Sequence, residues 1–330
     1  LHHSPRAPAA PLCWPPNFAP RLAMDAGLFP TASFPMEQAA FQDGLLPADA
    51  FLSGAYQAWE EQVRLAETLL ERDDWALLAF HLFTLDTLQH LFWPDVEGRI
   101  AAGYRWLDEM AGRLAKRAGP ETIILIASDH GTAPIERWVH LNLWLHQQGF
   151  LALDAEGRID WRETTAFCLG YGGIYLNVEG REPAGVVEQG SHYRRARDEI
   201  AGRLRALRDP TSGESVVQDV LPREAWHSGP HVEQMPDLIV ALRRGYGLAR
   251  QDARGEAPAS GPVIEENTSR WRGGHEGPYA PDLVPGIFLA AGPGVPVGRP
   301  TGSRIVDVAP TILRLLGLDP PATMDGRPLF

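Results

Sequence analysis

The chain has 330 residues, 44% hydrophobic and 22% charged, enough for one large α/β domain or two smaller ones. Its 42 acidic residues against 30 basic ones give a formal charge of −12, the wrong balance for gripping nucleic acid through its phosphates. Arg194, Arg195 and Arg197 form one short basic cluster, which reads as the solvated face of a helix.

Residues 1–40 are rich in Pro and Ala and lack sustained periodicity. They are predicted to form an extended segment packed on a domain spanning 41–330. From Phe51 to Arg72 apolar residues recur every three or four positions with charges between them, an amphipathic helix. Trp75–Phe83 (WALLAFHLF) is an apolar run of strand length, expected as a strand buried on both faces of a parallel sheet. Gly98–Ala118 predicts a helix, TIILIAS at 122–128 a second buried strand, and Leu141–Gln148 another helix. Further strands are expected at GIYLNV (173–178), DLIVAL (237–242) and GIFLAAG (286–292). Helices are expected at Tyr193–Leu207 and at 307–317, the second with Asp307 as its N-cap. Gly247–Pro262 reads as a surface loop. This alternation predicts an α/β fold with a mostly parallel sheet flanked by helices.

Cys13 and Cys168 make no disulfide framework and have no metal-ligand spacing, and Cys168 lies in an apolar run. No run of about 18 apolar residues is present to span a membrane. The Pro-broken start lacks the apolar core of a signal peptide, so the cytoplasm is the expected compartment.

In parallel α/β sheets ligands bind outside the carboxyl ends of strands. Past the first predicted strand, LFTLDTLQHLFW puts Asp86 and His90 one helical turn apart, on one face. Past the second, ASDHGTAP puts Asp129 beside His130, and WRGGHEGPY carries His275 just before the last. Each alone says little. An Asp and a His four apart are more often a helix-surface pair, and Asp-His-Gly after a strand is often a simple turn. His140, His146, His192, His227 and His231 lack partners at ligand spacing, and the tryptophans interleave with apolar positions as packing residues do.

Taken in order, Asp-x-x-x-His, Ser-Asp-His-Gly and a late Gly-His resemble the metal-ligand signature of the alkaline phosphatase superfamily. HLFTLDTLQHLFWPD, IASDHGTAP, YGGIYLNVEGRE, LRDPTSGESVV and the tail IVDVAPTILRLLGLDPPATMDGRPL are similar to its type I phosphodiesterase/nucleotide pyrophosphatase branch, from about Asn17 to Phe330. The resemblance implies a three-layer α/β sandwich. It also implies two divalent metal ions, one held by Asp86, His90 and His275 and the second by Asp129 and His130. Oxygen and imidazole ligands suit zinc, or manganese or a related ion. Such a pair clamps a phosphoryl group, which implies hydrolysis of small phosphate esters, phosphodiesters or nucleotide pyrophosphates.

The family also has an aspartate for the second metal and a Thr or Ser nucleophile ahead of these motifs, and neither is found here. No apolar strand ending in Asp-Gly precedes Asp86. Thr31 and Ser33 lie in a Pro-flanked loop, whereas a nucleophile needs rigid placement. Thr84 and Thr132 adjoin the metal motifs, where turn roles suffice. The catalytic residue is left unassigned, and a truncated metal-binding fragment or pseudoenzyme without hydrolytic activity stands as the alternative.

Overall fold

The computed structural model describes residues 4–31, 37–72, 74–275 and 282–330. Contacts divide it into two units, Leu1–Asp129 with Gly286–Phe330, and His130–Pro285.

The first unit opens with helices. α1 (Phe18–Asp25) forms inside the segment expected to be extended, burying Ala19 and Ala23, and α2 (Gln38–Gln42) follows. α3 (Ala48–Leu70) runs where the periodicity places it and buries Phe51, Ala55, Trp59, Val63 and Ala66 along one stripe. α4 (Thr84–Phe92) leads through a short loop to α5 (Arg99–Ala118). Asp95 caps α5 from that loop, its two oxygens accepting the N–H groups of Ile100 and Ala101 at 2.9 Å each. Lys116 and Arg117 in the last turn suit its negative end. Trp59 stacks flat on Trp106 at 4.6 Å, and Val63 and Ala66 pack with Met110 and Leu114, locking α3 to α5. β1 (Ile124–Ala127) then closes this stretch.

Trp75–Phe83 forms no strand. Leu77 and Phe80 are about half exposed, Leu82 packs against the α3–α5 cluster, and the His81 carbonyl accepts the Gln62 amide. The apolar run signalled burial, but a strand also needs a neighbour to pair its backbone groups. Among the described residues none is assigned to it.

The second unit contains β2 (Ala133–Val139), α6 (Leu141–Gln147), β3 (Ala166–Leu169), β4 (Gly173–Leu176) and α7 (Ser191–Arg205). β5 (Val217–Pro222), β6 (Leu238–Leu242), β7 (Gly245–Leu248), α8 (Arg250–Ala253), β8 (Ile264–Glu266) and β9 (Gly273–Gly274) complete it. α8 lies within the stretch expected to be loop.

Two sheets share one core. One has the order β3-β4-β6-β5 with every pairing antiparallel, and the other is centred on β2, which pairs β7, β8 and β9. Val139, Leu141, Trp144, Leu145, Ile174, Ile200, Leu204, Val240 and Tyr246 fill the core between these strands and helices α6 and α7.

Asp237, fully buried, ties β6 to its surroundings. Arg181 grips it through two donors at 2.9 and 2.6 Å, and Arg223, the Tyr193 hydroxyl and the Leu176 N–H donate as well. Asp252 is fully buried too and caps α6, accepting the N–H groups of Leu141 at 3.1 Å and Asn142 at 2.6 Å.

Returning to the first unit, β10 (Phe288–Ala291) pairs antiparallel with β1, Ile124 opposite Ala291, and α9 (Val308–Leu315) follows. Asp307 does not cap α9 through its side chain. It closes the preceding 3₁₀ turn instead, accepting the N–H groups of Arg304 at 2.8 Å and Arg327 at 3.0 Å. The Arg327 N–H, outweighing burial, helps hold its carboxyl below the ordinary value.

The α/β class therefore holds, but the mostly parallel sheet does not. Among the named strands only β2–β7 is parallel, and the other pairings are antiparallel. Local chain reversal explains part of the difference. Gly170-Tyr171-Gly172 turns β3 directly into β4, and a connection that short can join only antiparallel strands, whereas a parallel pair needs a crossover of a dozen or more residues. Among the described residues no helix is long and apolar enough to cross a membrane.

Candidate metal centre

Two of the predicted ligands lie together in the first unit. α4 carries Asp86 in its first turn and His90 in its last, and the i, i+4 spacing puts them on one face. Nε2 of His90 is 3.2 Å from Oδ2 of Asp86. The imidazole is nearly fully buried while the carboxylate is about one-third exposed. Burial of Thr84, Thr87, Leu88 and Leu91 fixes the rotation of the helix and hence the direction of this pair. Gln38 adds a polar tether, its amide donating to the Thr87 hydroxyl at 3.0 Å.

Asp129 belongs to the same unit and follows the end of β1 by one residue beyond Ser128. That strand end is pinned twice. The Ser128 N–H donates to the Ile287 carbonyl at 3.0 Å, and the Ile287 N–H donates back to the Ser128 hydroxyl at 2.8 Å.

The second unit brings His130 and His275 together from positions 145 residues apart in the chain. Their rings stack with centroids 3.5 Å apart and planes at 22°. The short β2–β9 ladder makes this meeting possible, pairing Ala133 with Gly274 and Pro134 with Gly273. His130 is held locally, with Nδ1 3.0 Å from the Gly131 carbonyl. A carbonyl oxygen can only accept, so Nδ1 carries the proton in this contact. Gly131 is required by close approach, because a Cβ there would come 2.4 Å from the Pro285 carbonyl oxygen. Its N–H donates to the Val284 carbonyl at 2.9 Å.

The donor chemistry fits a divalent transition metal: carboxylate oxygens and imidazole nitrogens, with no thiol among the five. A histidine whose other ring nitrogen donates to a backbone carbonyl is oriented as metal-binding histidines generally are.

Of the candidate hydroxyls, Thr84 is fully buried, Thr31 and Thr132 are partly buried, and Ser33 lies outside the described residues. Sequence reasoning passed over Asn267, which proves to be the buried anchor of the turn leading into His275. The signal available was an Asn with Ser two residues on, a pairing that favours a side-chain-closed turn.

The model of the family described as type I phosphodiesterase / nucleotide pyrophosphatase matches residues 13–277, well over half of the chain and a span that includes all five candidate ligands. No curated protein matches the chain.

Proposed function

This chain belongs to the type I phosphodiesterase / nucleotide pyrophosphatase family, and from that premise we propose that it is a divalent-metal-dependent hydrolase of phosphate esters, phosphodiesters or nucleotide pyrophosphates. In this reading Asp86, His90 and His275 hold one ion, and Asp129 and His130 hold the second. Zinc is the first choice, since imidazole and carboxylate ligands suit it without thiolate. The bound pair would supply Lewis acidity to the phosphoryl oxygens and activate the attacking oxygen.

The chain's own residues prepare that chemistry. The α4 turn presents a carboxylate and an imidazole already in contact at 3.2 Å, so little side-chain entropy remains to be lost on binding. His130, with Nδ1 committed to the Gly131 carbonyl, directs Nε2 to coordination. The observation that carries the reading is the stacked pair of His130 and His275, two family-motif histidines delivered to one place from distant parts of the chain.

A second reading is a metal-binding pseudoenzyme without hydrolytic activity. It is favoured by Thr84, a candidate hydroxyl beside the ligand motif, which is fully buried and out of reach of a substrate.

Elemental analysis after exhaustive dialysis tests the metal reading, comparing the parent chain with His90→Ala and His275→Ala. The expected result is about two ions per chain, falling in both variants. Metal content indifferent to both histidines refutes the assignment. Bound metal without hydrolysis of an activated phosphodiester such as bis(4-nitrophenyl) phosphate selects the second reading.

A further inference from the structure

We propose that Asn267 is a positioning residue, which clamps the turn before β9 onto β2 and thereby sets the ring of His275 on His130. Asn267 is 4% exposed. Its Nδ2 donates to the Ile135 carbonyl at 2.8 Å and to the Trp271 carbonyl at 2.7 Å, bridging β2 to the far end of the turn. Its Oδ1 accepts from the Ser269 N–H at 3.0 Å and the Ser269 hydroxyl at 2.6 Å, closing the turn from within. The Asn267 N–H donates to the Glu136 carbonyl at 2.8 Å, and the Ile135 N–H to the Arg272 carbonyl at 2.7 Å. Residues 267 and 272 are thus both tied to β2, and His275 follows three residues later.

The ladder that continues from this clamp is only two residue pairs long. A pairing that short, between two glycines and an Ala-Pro segment, has no side-chain pattern to define its register. The clamp supplies what the ladder lacks. Arg250 reinforces it from outside, its guanidinium lying 4.3 Å from the centre of the Trp271 ring.

An amide is the side chain this position demands. It offers two donors for the two carbonyls and an acceptor for Ser269. An aspartate would set a carboxylate oxygen against two carbonyl oxygens, and an alanine would leave those carbonyls and the Ser269 donors without this partner.

The consequence for metal binding rests on the proposed function, whereas the positioning itself does not, and the experiment separates them. In the metal-free chain with ring-labelled histidine, NMR reads the His130–His275 ring contact, and amide signals of the second unit's core report the fold. Zinc affinity is then measured by competition with a chromophoric chelator.

Asn267→Ala should lose the ring contact while keeping the core signals, and should bind zinc at least tenfold more weakly, the range seen when groups orienting metal ligands are removed. Asn267→Asp should behave the same way. Ser269→Ala, an exposed change that removes the hydroxyl bonded to the Asn267 acceptor and to the Trp271 N–H, should weaken zinc binding by a smaller factor. That variant decides the matter if the changes at Asn267 prevent folding. An unaltered ring contact and zinc affinity in the folded Asn267 variants, or in Ser269→Ala where those do not fold, overturns the proposal. Loss of the ring contact together with zinc binding indifferent to His275→Ala upholds the positioning and rejects the metal assignment.

Discussion

The Asp252 carboxylate holds the start of α6 in a place where water does not reach. Burial pushes its carboxyl up to about 7 from an ordinary 3.8, against the opposing pull of the Asn142 and Leu141 N–H groups. The Cys168 thiol nearby is itself pushed well above its usual range, first by burial and then by Asp252, so it stays neutral and adds no charge to the site. Because the folded-state value lies above the unfolded one, the stability linked to this group is complete below about pH 4 and is lost as pH rises through about 7. At ~1.4 kcal/mol per pH unit the full swing is about 4 kcal/mol, a large part of the 5–15 kcal/mol typical of a domain. Asn at this position stays neutral at every pH and keeps one acceptor oxygen. Its amide group must then face one of the two N–H donors, at a cost of about 1 kcal/mol that does not depend on pH. Asp252→Asn should therefore match the parent near pH 4.5, be less stable by up to about 1 kcal/mol below that, and be more stable by up to about 3 kcal/mol at pH 8. Urea unfolding from pH 4.5 to 8.5, in the presence of a metal chelator, gives the difference directly. A difference that is constant across that range would refute the assignment of a buried, reluctantly ionised carboxyl.

Asp237→Ala should cost about 3–5 kcal/mol, because it strands the Arg223 and Arg181 guanidiniums that now converge on a fully buried carboxylate. The Tyr193 phenol, pushed up to about 12 chiefly by burial and then by Asp237, loses its acceptor as well, and urea denaturation of the variant checks the sum. Gly131→Ala forces a Cβ to 2.4 Å from the Pro285 carbonyl oxygen. The backbone must shift, at about 1–3 kcal/mol, and His130 moves with it. A thermal melt unchanged from the parent would contradict that close approach.

Much of the helical framework is legible in the amino-acid sequence. α3, α5 and α7 follow from apolar spacing near 3.6 residues, because a stripe of buried side chains needs only one surface to pack against. The candidate ligands are legible as well, since Asp86 and His90 share a helix face by spacing alone and Asp129 and His130 follow a strand end. Pairing is not. Trp75–Phe83 has the composition of a buried strand yet forms none, and β1 meets β10 antiparallel where the alternation of elements predicts a parallel neighbour.

Composition and periodicity along the chain determined which residues avoid water and which segments coil into helices. These are local properties, settled within a few turns of backbone. Tertiary structure alone decided strand direction, the stacking of His130 on His275 through the β2–β9 ladder, and the task of Asn267 in holding that ladder. The last two depend on hydrogen bonds between segments more than 100 residues apart, and a backbone donor carries no mark in the sequence of which distant carbonyl it will find.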